Sequence, residues 1–311
     1  MCKYTNKTGL SSSLYDAIVG FASEYDKVGW KSVTTLIDSP RAKLLTERHS
    51  DEIIEDVSDL LWIFFGNMAH LIAERNASPK AIAEQRFIEE VNGKQISFKP
   101  DLLLPNEDIP GTWTLRDFKV TSVYALKSAL NGNVKKEWTK QLNIYAYLLH
   151  LANIQVTAIK LEVIARDWRF TESLREHGYP AAQCAVIPVA MWSTAKTKEF
   201  LEERIRLFAE CEELEDDDLP LCSEDERWAD PDRWAVVKTN GKVGVSGYKK
   251  ALPRATSFRN RSEALIFMAG RKDQDELEIE YRRGESRRCE RGYCKAAPFC
   301  SQFRETIKPA F

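Results

Sequence analysis

Asp101 and Asp117 stand sixteen residues apart, and Lys119 follows the second of them by two. Pro100-Asp101 interrupts one apolar run, KQISFKPDLLL, and Asp117-Phe118-Lys119 lies inside another, TWTLRDFKVTS. In a strand Asp117 and Lys119 point to the same face, because side chains alternate along it. Leu115 and Trp113 share that face, and charges on an apolar face are unfavourable unless they are paired or bind a metal. Two neighbouring carboxylates repel each other, and a divalent cation relieves the repulsion. A cation held in this way suits phosphodiester hydrolysis, where it activates water and neutralises charge on the phosphate and the departing oxygen. A lysine beside it orients the nucleophile and offsets developing negative charge. An Asp-x-Lys triplet by itself is commonplace on solvated strands, so this chemistry needs further residues.

The elements around these residues must place them. Residues 1–50 read as short helices and loops, with Asp38-Ser39-Pro40 a helix entry. Residues 51–76, DEIIEDVSDLLWIFFGNMAHLIAERN, predict one long helix opened by acidic residues. QRFIEEV and KQISFKPDLLL flank Asn92-Gly93, the signature of a type I′ hairpin. A third strand, TWTLRDFKVTS, follows the turn at residues 108–111. Residues 134–152 predict a helix, QVTAIKLEVIARDW a strand, and residues 194–213 a further helix. That order predicts an α/β sandwich around a mixed sheet flanked by helices. Past the acidic run Glu212–Asp218, RWAVVKTNGKVGVSGY predicts a second hairpin turning at Asn240-Gly241. A helix near 261–270 and a strand near 276–283 come next. The expected organisation is a helical segment over 1–50, a core over 51–212, an acidic linker over 213–232 and a basic module over 233–311.

Two helical pairs extend the pattern. Gly66 and His70 are four apart, as are Gln141 and Tyr145, so each pair shares a helix face. A glycine inside a helix costs about 1 kcal/mol relative to alanine, which predicts close packing or backbone approach at Gly66. His70 sits among Met68, Ala69, Leu71 and Ile72, where a hydrogen-bonded core histidine is the commoner outcome. In chain order the sequence therefore reads GNMAH (66–70), KPD (99–101), DFK (117–119) and QLNIY (141–145). This series resembles the RecB-like branch of the PD-(D/E)XK nucleases, with its GxxxH, PD, (D/E)xK and QxxxY motifs, over about residues 40–165.

The resemblance implies a restriction-endonuclease-like core with Mg²⁺ or Mn²⁺ as cofactor. It makes His70, Asp101, Asp117 and the Phe118 main-chain carbonyl metal ligands, and Lys119 the catalytic lysine. Gln141 and Tyr145 would meet the DNA backbone or position Lys119, and either Glu84 or Glu89 would add an outer carboxylate. The third motif carries Asp rather than the more frequent Glu, which shortens its reach.

Cys289, Cys294 and Cys300 fall within twelve residues near the chain end, and Cys222 lies at the start of the basic region. Four thiolates hold zinc or a [4Fe–4S] cluster; the spacing here fits neither the usual zinc ribbon nor a ferredoxin run. AddB-type and CRISPR-associated adaptation nucleases carry a carboxy-terminal cysteine trio that completes an iron–sulfur cluster, and similarity to them favours [4Fe–4S] over zinc. In those relatives the first cysteine precedes the nuclease motifs. Here Cys222 follows them and is preferred as fourth ligand, with Cys2 the alternative; Cys184 and Cys211 read as ordinary thiols. Such a cluster would staple the basic stretch Arg233 to Arg291, whose Trp234, Tyr248 and Phe258 would stack on bases.

Charge supports a polyanionic partner. The net charge of −2 divides into +9 over residues 233–311, from 18 Lys/Arg and 9 Asp/Glu, and −11 over the rest. Hydrophobic residues at 43% and charged residues at 30% suit a globular chain of 311 residues with no membrane span. The amino terminus lacks an apolar signal core, which predicts a cytoplasmic protein with reduced thiols. The function expected is a metal-dependent deoxyribonuclease, an exonuclease on single-stranded DNA or DNA ends in recombination, repair or replication. It would act alone, as a homo-oligomer or with a recombination partner. The alternative is a non-catalytic or RNA-directed nucleic-acid-binding module with a structural zinc or iron–sulfur site.

Overall fold

The computed structural model describes residues 2–23, 28–244, 247–253, 255 and 257–306. The chain divides into two units, Met1–Leu219 and Pro220–Phe311. In the first, a five-stranded mixed sheet has the order Cys184–Val189, Val156–Ala165, Trp113–Thr121, Leu102–Pro105, Ile82–Ala83. Its two longest strands, Trp113–Thr121 and Val156–Ala165, run parallel, and the other neighbours are antiparallel. A parallel pair cannot be closed by a tight turn. Helices Val123–Leu130 and Lys136–Leu151 make the crossover, the first capped by the Ser122 hydroxyl accepting from the Ala125 amide. The second helix buries Leu142, Tyr145 and Leu149 along with Ile144 and Leu148, the stripe expected of its period. The α/β class and the mixed sheet flanked by helices thus agree with the sequence reading.

The first 50 residues are not a separate layer. Val33 and Leu36 belong to the main core, and Lys31–Ser32 pairs with Lys94–Phe98. Arg41 is fully buried and donates to the Leu219 carbonyl. The Asn92-Gly93 hairpin forms as expected, with φ of 49° and 71° at its two turn residues. Its strands, Phe87–Val91 and Lys94–Phe98, form a separate three-stranded sheet with Lys31–Ser32. The chain leaves that sheet at Lys99-Pro100-Asp101 and enters the larger one at Leu102. Proline, which donates no ladder hydrogen bond, marks the break.

The long helix expected from residue 51 starts ten residues later. Ile54–Asp56 is a short strand parallel to Lys3–Thr5, Val57–Leu60 is a 3₁₀ turn, and the helix runs Leu61–Arg75. The Asp56 carboxylate accepts from the Thr5 hydroxyl at 2.7 Å, the Lys7 amide at 2.9 Å and the Ser58 amide at 3.1 Å. These local bonds compete with helix and hold the segment extended.

In the second unit Arg233–Lys238 pairs antiparallel along its length with Leu277–Arg282, and the chain after Asn240-Gly241 reaches it only through isolated bridges, Val237 to Ala251 and Trp234 to Phe258. That segment, KVGVSGY, contributes an isolated bridge between Val243 and Lys249; residues 245 and 246 lie outside the described part. Its glycines weaken a strand, whereas Leu277–Arg282 supplies an apolar partner face. Trp234 and Phe258 pack onto a small core of Val236, Ala255, Ala264 and Leu277, and Tyr248 lies under the Arg282 guanidinium. The aromatics expected to stack on bases are thus partly buried within this unit. Among the described residues, no helix is long and apolar enough to cross a membrane.

Candidate metal centre

The Trp113–Thr121 strand carries Asp117 into the interior of the first unit. Its register places Leu103 opposite Leu115, Leu161 opposite Asp117 and Val163 opposite Lys119, and all four of these aliphatic residues are fully buried. Asp117 is 1% exposed. The Lys119 ammonium pairs with its Oδ2 at 2.7 Å. Lys119 is thus the counter-charge that makes a buried carboxylate tolerable here.

Beside it, three other side chains converge. Ligand atoms of His70, Glu84 and Asp101 lie within 4.8 Å of one another. His70 Nδ1 is 3.1 Å from Glu84 Oε1 and 3.5 Å from Asp101 Oδ2. The Phe118 amide donates to Asp101 Oδ2 at 2.6 Å, and the Phe118 ring meets His70 edge-on at 5.9 Å. Each side chain comes from a different element: His70 from the Leu61–Arg75 helix, Glu84 from just past the Ile82–Ala83 strand, and Asp101 from the break between sheets.

Of Glu84 and Glu89, Glu84 is the one brought to the cluster. Glu89 sits in the separate hairpin, paired with Ile96, whereas Glu84 faces the cluster. Its backbone is left-handed, with φ of 49°, and its amide donates to the Asp101 carbonyl at 3.1 Å. A non-glycine residue holds that conformation at a cost of about 1–3 kcal/mol only where its surroundings demand it. No sequence motif announces Glu84. Lys99, which the sequence reading does not single out, places its ammonium 2.5 Å from Glu84 Oε2.

The other expected residues sort as follows. His70 and Asp101 belong to the cluster, and Asp117 adjoins it while turned to Lys119. Phe118 is present through its amide. Tyr145 is 4% exposed, out of reach of a DNA backbone; Gln141 donates to its hydroxyl at 3.1 Å. That hydroxyl also interacts with the Lys99 amide, and the ring packs 5.6 Å from Phe98. The pair braces the segment that delivers Lys99 and Asp101. At Gly66 an added Cβ would meet nothing within 4 Å, so the close packing expected there is absent.

Protonation follows from the crowding. Burial pushes the Asp101 carboxyl up, and the Asp117 charge adds to the effect. Burial opposes a charge on His70, but the Glu84 hydrogen bond and the Asp101 charge outweigh it and raise its pKa. Burial likewise opposes a charge on Glu84, and the His70 and Lys99 contacts outweigh it and lower its pKa. Both the imidazole and the Asp101 carboxyl thus bind protons more tightly folded than unfolded. Their contribution to stability is fully present below their unfolded values and is lost as pH rises through the raised folded ones. Between about pH 5 and pH 8 the metal-free protein should therefore melt progressively lower, since Glu84, with its lowered pKa, stays ionised there. His49, raised by Glu52 and Asp216, has the same sign. The comparison is thus His70→Gln against its parent, both in a His49→Gln background. A pH slope unchanged by His70→Gln contradicts this assignment.

The donor set fits a hard divalent cation. Carboxylate oxygens suit Mg²⁺ and Mn²⁺, and an imidazole nitrogen favours Mn²⁺ among them.

In the second unit, Cys222, Cys294 and Cys300 are near enough to Cys289 for their charges to reach it, but their sulfurs do not gather within the 4.8 Å spanned by the ligand atoms of His70, Glu84 and Asp101. Burial pushes the Cys289 thiol up to about 11, with Cys294, Cys222 and Cys300 adding to the shift. The Gln302 amide clamps Cys222, accepting from its backbone N–H at 2.8 Å and donating to its carbonyl at 2.9 Å. Cys184 is exposed and Cys211 buried elsewhere, in the first unit.

No family model matches the sequence, and no curated protein matches it. Among solved structures, the crystal structure of SSO0001 aligns with 62% of this chain and 84% of its own length, at 17% identity and a TM-score of 0.42. That likeness is too slight to assign a fold family, and the site stands on its own geometry.

Proposed function

We propose that the chain is a divalent-metal-dependent deoxyribonuclease built on a PD-(D/E)XK core, acting on single-stranded DNA or DNA ends. The observation that carries this reading is the convergence of His70, Glu84 and Asp101 within 4.8 Å, beside the buried Asp117 paired with Lys119. His70, Asp101 and Asp117 would hold Mg²⁺ or Mn²⁺, with Glu84 in reach. The metal would supply Lewis-acid charge and an activated water. Lys119, kept protonated by Asp117 and Asp101 against the effect of burial, orients the nucleophile and balances charge developing on the phosphate. Lys99 is half exposed beside Glu84 and is placed to meet an incoming phosphate. Gln141 and Tyr145 hold the Lys99–Asp101 segment in place. In the second unit, the four thiols would carry a structural [4Fe–4S] cluster or, as the other occupant, zinc.

The test is cleavage of 5′- and 3′-labelled single and double strands, DNA and RNA, with Mg²⁺ and with Mn²⁺. Metal-dependent products from DNA are expected. Binding without cleavage under every condition would turn the reading into a non-catalytic nucleic-acid-binding module, and cleavage confined to RNA would reassign the substrate.

A further inference from the structure

The Leu61–Arg75 helix exposes Trp62, Ile63, Phe65 and Ile72, and none of its residues is buried. Trp62, Gly66 and His70 succeed one another at intervals of four and so form one row along its surface. Eight residues separate the ends of the row, about 12 Å along the axis. His70 at one end belongs to the carboxylate cluster. The middle is bare, since a Cβ at Gly66 would meet nothing within 4 Å. At the far end the Arg166 guanidinium lies 3.9 Å from the Trp62 ring centroid, yet the tryptophan remains 55% exposed. Phe65 flanks it, with ring centroids 5.9 Å apart.

Cations mark the same flank of the site. The Arg166 amide donates to the Thr121 carbonyl at 2.8 Å, two residues beyond Lys119 on its strand. Lys135 is near enough to feel the charges of Arg166 and Lys119, along with the opposite charge of Glu137 on its own helix. The helix itself carries no acidic residue before Glu74. An apolar protein segment would be satisfied by Ile63 and Ile72 and would not call for this cationic file. Duplex bases are already stacked and cannot use an exposed indole. Unpaired bases can, because every base has a π-face and its backbone seeks positive charge.

We propose that Trp62 and Arg166 form a stacking platform for an unpaired base, from which the strand runs over the bare surface at Gly66 towards His70. The direction of the strand rests on the nuclease reading, whereas the platform itself requires only binding.

Fluorescence anisotropy of a labelled single strand, with the full chain and no added divalent metal, tests the platform separately from cleavage. Trp62→Ala should weaken binding about tenfold, and Trp62→Phe should hold within about threefold of the parent, as expected when stacking is the contribution. Duplex binding should be unchanged by Trp62→Ala, and a strand of abasic sites should be bound equally by parent and variant. The proposal is overturned if Trp62→Ala binds single strands like the parent, loses single strand and duplex alike, or is matched in its loss by Trp62→Phe. A parent that binds with this signature but never cleaves leaves the platform standing and removes the nuclease reading. A parent that cleaves while Trp62→Ala binds normally does the reverse.

Discussion

Lys119→Ala should lower metal-dependent cleavage by a factor on the order of 10²–10³, the scale for losing one charged group aimed at the reacting phosphate. Lys119 Nζ lies 2.7 Å from Asp117 Oδ2, and Asp117 and Asp101 together keep it protonated despite burial. Removing it leaves the buried Asp117 without a counter-charge. Breaking such a pair costs about 3–5 kcal/mol when nothing replaces the lost partner. A metal ion is such a replacement, so the variant should be less stable than the parent without metal and should recover much of the difference in Mn²⁺. Lys119→Arg should not rescue cleavage, because the guanidinium fork is too large for a position beside the fully buried Val163. Asp117→Asn should lose both properties, abolishing cleavage and blunting the Mn²⁺-induced rise in melting temperature. Single-turnover rates on an end-labelled strand and melting curves with and without Mn²⁺ decide these outcomes. A Lys119→Ala enzyme within about twofold of the parent rate would remove the lysine from the mechanism.

Much of this site is legible in the sequence because its parts obey short-range rules. The alternation of a strand puts Asp117 and Lys119 on one face, and the neighbouring aliphatics make that face a buried one. The Asn92-Gly93 turn is similarly local, since both residues adopt left-handed backbone conformations. What escapes the sequence depends on contacts between distant segments. Glu84 and Glu89 are equivalent by type and spacing, and only the split of the strands between two sheets sends one to His70 and the other into a hairpin. Asp56 stops the expected helix by accepting bonds from Thr5 and Lys7, about fifty residues away. Tyr145 reads as a surface partner of Gln141 until the crossover helix is laid on the sheet and buries it. Gly66 misleads in the opposite sense: helical glycine suggests a close neighbour, yet the space above it is open. The pairing of Arg233–Lys238 with Leu277–Arg282, across about forty intervening residues, lies beyond any local turn signal.

The second unit should depend on its thiols for folding. Its core cluster rests on Val236, Ala255, Ala264 and Leu277, two of them alanines, in a unit of about ninety residues. Small units with little apolar burial generally need a disulfide or a bound metal as a staple. Cys222 joins its start to the Cys289–Cys300 stretch at its end, so one four-thiol site would close a loop of about seventy residues. The cost of closing a loop rises only slowly with its length, which makes a staple spanning most of the unit effective. Cys289→Ser and Cys300→Ser should each remove the bound metal and lower the melting of this unit by roughly 10 °C or more, the shift for a loss of about 2 kcal/mol in a domain of this size. The transition of the first unit should stay in place, since its core of Leu103, Leu115, Leu161 and Phe208 is independent of these cysteines. Cys184→Ser, which alters an exposed thiol at the sheet edge, serves as the control and should change neither transition. Calorimetry of the full chain, paired with iron, acid-labile sulfide and zinc analysis of anaerobically purified protein, reads out both stability and occupant. Iron and sulfide in equal amounts, lost together in Cys289→Ser, are expected for a [4Fe–4S] cluster. Stoichiometric zinc without sulfide would reassign the site to zinc, and unchanged melting in both serine variants would leave the four thiols as packing alone.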